Sequence, residues 1–307
     1  DVEIVGVCDN DGPKARALAN RFGVRATYDD IEDLLRLSGP DAVVICTPNH
    51  LHEVHVLTAL SAGVAVLCER PLALSAAGIA RIATAAQRAK RPVMVGMNHR
   101  FRSDVQAVRA FVNGGELGAL RGIRCGWYVF RPSRTELGWR QRPAEAGGGA
   151  MLDLGLSLVD LGLWLAQWPE PQTVTAALAR SPESPVEDTG AALVVCAGGL
   201  SIFVDVSWRH VGDAERFWID VMGDKGSASI SPLRVFKEMH GAPLNVTPTG
   251  AAGRENLFVA SYRAEWARFV AIVRGELDAP GLDDQVLLHR TMEAIYRSAQ
   301  EGRAVSV

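Results

Sequence analysis

Two short polar segments carry the residues best suited to chemistry in this chain. Glu69 and Arg70 precede Pro71 at the end of an apolar run, and Asp153 and Ser157 lie four residues apart, after three consecutive glycines. Arginine stays protonated at any usable pH, so Arg70 can polarise a carbonyl or clamp a carboxylate, but it cannot be a general base. Asp153 is a candidate acid or base, and Ser157 can donate a hydrogen bond or pass a proton to water.

The second segment has helical spacing. Residues at positions i, i+4 and i+7 of a helix share one face, so we expect Asp153, Ser157 and Asp160 to point the same way. A plain helix-start carboxylate remains the alternative interpretation of Asp153. For Arg70 the alternative is a residue that supplies positive charge for binding only.

Residues 1–100 alternate between apolar, strand-sized segments and helical segments that begin and end at capping residues. Such alternation predicts a parallel sheet covered by helices on both faces, which binds ligands beyond the carboxyl ends of its strands. We predict strands at 2–9, 41–46, 64–68 and 92–96, and helices at 13–22, 28–35, 50–62 and 75–89. The polar residues expected at the carboxyl edge, and hence around a cofactor, are Asp9, Thr47, Pro48, Asn49, His50, Glu69, Arg70, Pro71 and Asn98.

Asp9 indicates which cofactor the edge would bind. An acidic residue that ends the second strand of a dinucleotide-binding sheet accepts hydrogen bonds from a ribose, and it would repel a 2′-phosphate, so NAD is favoured over NADP. No G-x-G-x-x-G motif occurs in a strand-to-helix setting. We therefore expect the first strand and its Gly-rich turn to lie in about 25–35 residues before Asp1.

The second part of the chain is rich in β-branched and aromatic segments separated by Gly, Pro and Asp. This pattern predicts an α+β domain over 121–307, following a dinucleotide-binding domain over 1–120. Gly223–Gly226 is typical of a hairpin turn. Two long helices are expected at 256–275 and 283–301, the first with an aromatic stripe that predicts core packing. The expected strands are 121–131, 172–180, 188–197, 199–210, 214–222 and 226–231.

Composition excludes several classes of partner. The net charge of −3 does not favour a nucleic acid or an anionic membrane, and the longest apolar runs have the length of strands. The five cysteines include no CxxC pair, and His50 and His52 stand too close together for a metal site without acidic partners, so no metal is expected. Free thiols predict a reducing compartment and a cytoplasmic location.

Several motifs, in this order along nearly the whole chain, resemble the glucose–fructose oxidoreductase / inositol dehydrogenase / MocA (Gfo/Idh/MocA) family. They are Val7–Asp11, Thr47–His52, Cys68–Leu72, Gly96–Phe101, Gly147–Gly155 and Glu293–Arg303. The resemblance implies a Rossmann-like domain, an open and mainly antiparallel sheet, NAD, and a dimer or tetramer formed through that sheet. It also implies a lysine at position 70 and a histidine at position 157 as the proton-transfer pair, which this chain replaces with Arg70 and Ser157.

The resemblance further implies a small-molecule substrate that is a sugar, a cyclitol or a related polyhydroxy or keto compound. The residues that would contact it are Arg100, Trp139, Arg140, Asp153 and Ser157. Because the segment around Trp139 is rich in arginine, an anionic sugar acid, phosphate or carboxylate would also suit it, although a solvated loop explains it equally well.

Three functions remain open at this point. The first is an NAD-dependent oxidoreductase with an atypical acid/base set, which includes the reduction of an imine or a conjugated double bond. The second is a non-redox family member that binds cofactor or sugar as an assembly subunit. The third is a lyase or hydrolase that uses NAD transiently, and the loss of both usual residues does not favour it.

Overall fold

A computed structural model describes residues 2–131, 138–249 and 255–307 of the chain. The predicted run around Trp139 therefore lies partly outside the described residues.

The first part of the chain alternates strands and helices, as predicted. Helix α1 begins where Asp11 accepts a hydrogen bond from the Lys14 amide, and it ends at Gly23, which adopts a left-handed backbone with φ of 70°. The elements are β1 (Val7–Cys8), α1 (Gly12–Phe22), β2 (Thr27–Tyr28), α2 (Ile31–Ser38), β3 (Ala42–Ile45), α3 (Asn49–Ser61), β4 (Ala65–Glu69), α4 (Ala76–Ala89) and β5 (Val93–Gly96).

These five strands are all parallel to their neighbours, but they form two separate sheets. One sheet pairs β1 with β2, and the other has the order β3-β4-β5. Strand β4 is buried along most of its length because it lies between two strands and under helices. The predicted parallel fold is thus confirmed, although β1 pairs over two residues only and the predicted strand 2–9 was too long.

The second part of the chain builds one nine-stranded sheet of order β13-β12-β11-β10-β6-β9-β8-β7-β14. All of its pairings are antiparallel except that of β6 with β9, which confirms the predicted mainly antiparallel sheet. Its strands are β6 (Leu120–Tyr128), β7 (Pro171–Ala179), β8 (Thr189–Cys196), β9 (Ser201–Ser207), β10 (Arg216–Gly223), β11 (Gly226–Ile230), β12 (Arg234–Met239), β13 (Ala242–Asn245) and β14 (Val305–Ser306).

Helices cover one face of this sheet and connect it to the first part of the chain. They are α5 (Ser103–Asn113), α6 (Pro143–Ala146), α7 (Leu156–Leu165), α8 (Leu257–Val273) and α9 (Asp283–Glu301). A wide helical turn, Met151–Gly155, leads directly into α7, and a 3-10 turn, Asn98–Phe101, joins β5 to α5.

Helix α7 is the central helix of the core, and nearly all of its residues are buried. By length and composition, the stretch Pro143–Leu165 could cross a membrane, but 83% of its most apolar window is buried within the protein. Burial of that kind is what a core helix in contact with a sheet shows.

The aromatic stripe predicted on α8 is only partly buried. Phe269 packs in the core, whereas Phe258 and Trp266 are exposed, and the other buried positions are Ser261, Glu265 and Ile272. The predicted core packing is thus wrong for the first half of the helix, where polar residues face the interior. The face that contacts β4 and β5 instead includes two polar residues.

Candidate active site

The carboxyl ends of β3, β4 and β5 lie side by side at one edge of the parallel sheet, and we call the space beyond this edge the crevice. Glu69 is the last residue of β4, and it is paired with Gly96 of β5. A Cβ atom at position 96 would lie only 3.1 Å from the Glu69 carboxylate, so glycine makes room for that side chain. Burial raises the pKa of Glu69 despite the opposing charge of Arg70.

Arg70 reaches from this edge to the second domain. Its Nη1 donates a hydrogen bond of 2.6 Å to the main-chain carbonyl oxygen of Asp153, and the side chain remains partly exposed. The Arg70–Pro71 peptide bond is cis. The structure therefore brings the two polar segments singled out in the sequence into direct contact.

The Asp153 carboxylate is held on its other side. Its Oδ2 accepts hydrogen bonds from Arg131, at 2.8 Å, and from the indole nitrogen of Trp208, at 3.1 Å. Both donors hold the carboxylate in place, so Asp153 resembles a fixed acceptor more than a freely moving base. Arg131 in turn lies over the Trp208 ring, at 4.9 Å from its centroid.

Ser157 and Asp160 lie in the protein interior. The wide turn at Met151–Gly155 changes the helical register before α7, and both side chains are almost fully buried. Asp160 accepts a hydrogen bond of 2.8 Å from Arg100, whereas the Ser157 hydroxyl has no hydrogen-bond partner in the described structure. Only Asp153 of the predicted face is thus open to the crevice.

Glu187 anchors the glycine loop that precedes Asp153. Its Oε1 accepts hydrogen bonds from the amide of Gly149, at 2.7 Å, and from the hydroxyl of Tyr296, at 2.7 Å. A Cβ atom at Gly149 would lie 1.9 Å from the Glu187 carbonyl oxygen, and one at Gly148 would lie 2.1 Å from the Tyr296 hydroxyl. Glycine is therefore required at both positions for this close approach.

Asp9 stands at the end of β1, where the sequence placed a ribose ligand. Lys14 lies 2.8 Å from its carboxylate, a cation that sequence reasoning missed. Partial burial would raise the pKa of Asp9, but the hydrogen bonds from Lys14 and from the Asp11 amide lower it. Asp9 is ionised at neutral pH and keeps acceptor capacity for ribose hydroxyls, so this residue fits NAD.

The loop from β3 to α3 is tied down by side-chain bonds. Asn49 is buried and donates to the carbonyl of Ala146, at 2.8 Å, while the Thr47 hydroxyl lies 3.1 Å from His55. His50 is exposed in the first turn of α3, after Pro48. Asn49 thus positions the loop before the glycines, a role that sequence reasoning did not predict.

His52 links this loop to the Arg70–Pro71 segment. Its two ring nitrogens lie 2.7 Å from the carbonyl oxygens of Thr47 and Pro71. Burial lowers the pKa of His52, so the ring is neutral and donates to one of the two carbonyls at a time. The sequence does indicate a buried, hydrogen-bonded role for His52, because it is a histidine on an otherwise apolar helix face.

Asn98 was predicted to bind the cofactor and Arg100 the substrate, but both side chains are bonded to other residues of the protein. Asn98 is buried and donates to the Ser261 hydroxyl, at 3.1 Å. Arg100 is bound by the carboxylates of Asp160 and Asp284. Arg100 thus joins the 3-10 turn, α7 and α9, and its charge is neutralised within the protein.

Trp139 and Arg140 lie on a 3-10 turn, Gly138–Gln141, at the surface. The Arg140 guanidinium covers the Trp139 ring at 4.3 Å from its centroid, and Arg140 is exposed. No contact with Asp153 or Arg70 is recorded for either residue within the described ranges.

Two buried side chains near Arg70, those of Glu265 and His99, were given no role by the sequence. Glu265 on α8 has a carboxyl oxygen without a partner in the described structure, and burial, followed by the charge of Glu69, raises its pKa to about 8. His99 is stacked on Phe217, at 5.1 Å between ring centroids, and burial lowers its pKa to about 3. Both groups are therefore uncharged at neutral pH. A glutamate four residues after Ser261 was the available sign of a polar helix face.

The crevice therefore offers the Arg70 guanidinium, which no carboxylate binds among the described residues, and the Asp153 carboxylate, which Arg131 holds in place. Such a site can orient and polarise an oxygen-bearing substrate. No group of three or more His, Cys, Asp and Glu residues that could hold a metal ion occurs in the described ranges.

Comparison with known proteins gives matches along the chain. A family model described as "Oxidoreductase family, NAD-binding Rossmann fold" matches residues 1–97, and a GFO/IDH/MocA C-terminal domain model matches residues 105–229. The D-glucoside 3-dehydrogenase of Escherichia coli (strain K12) is 25% identical, over 100% of this chain and 91% of that protein. The D-apiose dehydrogenase of Paraburkholderia graminis is 29% identical, over 99% and 83%.

A solved structure is similar over the same extent. GenD2 from gentamicin A biosynthesis, in complex with NAD, superposes with a TM-score of 0.86 and is 28% identical. The alignment covers 100% of this chain and 89% of GenD2.

Proposed function

This chain belongs to the Gfo/Idh/MocA family of NAD-binding oxidoreductases, and we propose that it moves hydride between NAD and a sugar, cyclitol or related polyhydroxy compound. The observation that carries the proposal is the contact between Arg70 and Asp153, which joins the cofactor edge to the second domain. The named relatives include sugar dehydrogenases, which supports this substrate class. The non-redox alternative has no comparable support.

The residues of the crevice fit the cofactor. Asp9 would accept from the adenosine ribose, and the ends of β3 and β4 would line the rest of the dinucleotide. When bound, NAD would supply the acceptor or donor of hydride. The protein's own part is to place the substrate oxygen against Arg70, which polarises the carbon–oxygen bond and stabilises negative charge on oxygen.

The path of the proton differs from that implied by lysine and histidine. Arg70 keeps its proton, the hydroxyl of Ser157 is buried, and Asp153 is held by Arg131 and Trp208. The proton of a substrate hydroxyl would leave through water at the open side of Arg70, with Asp153 as the nearest fixed acceptor. Proton transfer is therefore the step that we expect to limit alcohol oxidation.

Fluorescence of NADH tests the proposal directly. Titration of NADH with the purified protein should give a saturable change in nicotinamide emission. A panel of inositols, aldoses, keto-sugars and sugar acids, assayed by NADH absorbance, should then identify at least one substrate. An absence of saturable NADH binding would exclude the dehydrogenase function, and binding without turnover of any panel member would favour the non-redox alternative.

We also propose that two or four copies associate through the outer face of the large sheet. Strand β9 alternates buried Val204 and Val206 with half-buried residues, and the outer face of the sheet also carries Leu193, Tyr128 and Trp218. Arg216 lies over the rings of Tyr128 and Trp218, and Asp205 accepts a hydrogen bond from the Tyr128 hydroxyl. Aromatic residues and arginine are enriched at interfaces between subunits, which supports this face as the interface.

A cytoplasmic location remains a proposal as well. It is supported by five free cysteines, of which Cys46 is exposed at the end of β3. Exposed free thiols persist in reducing compartments.

A further inference from the structure

Arg70 differs from the other arginines around the crevice in its partners. Arg100, Arg102 and Arg131 each form an ion pair with a carboxylate, at Asp160, Asp104 and Asp153 respectively. Among the described residues, the Arg70 side chain donates one hydrogen bond, to the main-chain carbonyl of Asp153. Its positive charge therefore has no ion-pair partner of its own.

The acids close to Arg70 do not compensate for this. Glu265 is buried, and its pKa of about 8 leaves it protonated at neutral pH. Burial raises the pKa of Glu69, and the neighbouring charge of Arg70 opposes that shift. The carboxylate of Asp153 is shared between Arg131 and Trp208, and that of Asp160 is bound by Arg100. Among the described residues, no carboxylate therefore forms a direct ion pair with the Arg70 guanidinium.

The geometry leaves donors available for a ligand. A guanidinium presents several N–H groups in a planar fork, of which Nη1 alone is engaged here. A planar carboxylate matches two parallel donors of such a fork, whereas a lysine in the same place would offer a single point of charge. Partial exposure of Arg70 leaves the fork open to the crevice.

We propose that the substrate of this chain is a polyhydroxy carboxylate, such as a uronic or aldonic acid, whose carboxylate is bound by Arg70. The inference rests on the proposed function, because it takes the crevice as the substrate site of an NAD-dependent dehydrogenase. It narrows the substrate class from polyhydroxy compounds in general to anionic ones. Arg70 is then the residue that determines specificity.

Matched pairs of sugars provide the test. D-glucose and D-glucuronate differ only at C6, and so do D-galactose and D-galacturonate. We expect kcat/KM with NAD to be at least about tenfold higher for each acid than for its neutral partner. Equal values, or a preference for the neutral sugars, would overturn the inference. Glucose 6-phosphate is included, and a preference for it over glucuronate would overturn the carboxylate assignment.

Variants at position 70 separate binding from folding. Arg70→Met should lower kcat for acids and neutral sugars alike, because Arg70 also polarises the reacting oxygen, and it should raise KM for the acids at least about tenfold more than KM for the neutral sugars, because only the acids also lose the partner of their carboxylate. Arg70→Lys should give an intermediate loss. Arg121→Lys is the matched control, since Arg121 is an exposed residue paired with Asp224 away from the crevice, and its ratio of acid to neutral sugar should be unchanged.

Binding distinguishes failure of this inference from failure of the proposed function. Calorimetric titration of D-glucuronate into the complex of protein and NADH should give a Kd at least about tenfold below that of D-glucose. If NADH binds and glucuronate does not, the inference is wrong while the dehydrogenase function stands. If NADH itself does not bind, the proposed function fails first.

Discussion

Arg70 and Ser157 replace the lysine and histidine that the family resemblance implies, while the surrounding residues of the two motifs are kept. Glu69, Pro71 and Asp153 belong to the motifs that carry the family resemblance, and Arg70 contacts the main-chain carbonyl of Asp153 directly. The buried hydroxyl of Ser157 cannot replace an imidazole as a base near neutral pH.

Introducing the lysine and the histidine that the family resemblance implies should restore proton transfer from a substrate hydroxyl. The double variant Arg70→Lys with Ser157→His should oxidise neutral sugars with kcat at least about tenfold above the parent chain, because histidine supplies a base with a pKa near neutrality. Steady-state assays with inositol and glucose measure this. Ser157→His alone, which keeps Arg70, serves as the comparison. Unchanged rates in a folded double variant would show that the lost pair is not what limits these substrates.

Glu265 gives stability a dependence on pH. Its folded pKa, about 8, lies above its unfolded value, so its contribution is complete below the unfolded value and declines as pH rises toward 8. Glu265→Gln mimics the protonated form. The variant should match the parent in free energy of unfolding near pH 5 and exceed it by about 1 kcal/mol or more at pH 8. Urea denaturation at the two pH values measures this, and an equal difference at both would contradict it.

At the scale of elements, the buried pair of Asp160 and Arg100 joins α7 to the turn after β5. Asp160→Asn leaves the Arg100 charge with one fewer partner in a buried place, and should lower the free energy of unfolding by about 3–5 kcal/mol. Asp284 also contacts Arg100 but is more exposed, with 21% of its side chain accessible, so Asp284→Asn should cost clearly less. Chemical denaturation of both variants compares them, and equal losses would argue against the assigned burial.

The glycine loop is the other element on which the site depends. Gly149→Ala would force a methyl group against the Glu187 carbonyl, so we expect a lower melting temperature and a loss of activity as the loop moves Asp153. Gly281→Ala is the control, because the nearest atom to its Cβ would be 3.8 Å away. Thermal unfolding and turnover of both variants would test this, and an unaffected Gly149→Ala would mean that the loop shifts freely.

Some elements could be predicted from the sequence because their ends are marked locally. Helix α9 spans Asp283–Glu301 as predicted, between two aspartates and the left-handed Gly302. Helix α5 and strands β12 to β14 were not predicted, although Asp104 in the first turn and Gly114 after the last turn of α5 are markers of the same kind. The partners of Asn98 and Asn49, and the buried state of Glu265, depend on distant segments meeting, which local pattern does not reveal.

For the whole molecule, the outer face of the nine-stranded sheet is the surface through which we propose that copies of the chain associate. Trp218 lies over Gly126 on this face, where glycine leaves space for the ring. Trp218→Glu should shift the protein toward monomer, because a charge would be buried in the proposed interface. Sedimentation velocity measures the mass, and Val211→Glu, at a highly exposed position outside the strands, is the control. A parent chain that sediments as a monomer would contradict the proposed association.

The bond from Arg70 to the carbonyl of Asp153 also bears on how this site can diverge. A main-chain acceptor is present whatever side chain occupies position 153, so substitution there leaves the anchor of Arg70 in place. Arg131 and Trp208, by contrast, would lose the carboxylate that they share. Substitution of the acid at position 153 can therefore change the bonds of Arg131 and Trp208 while the orientation of the Arg70 guanidinium is kept.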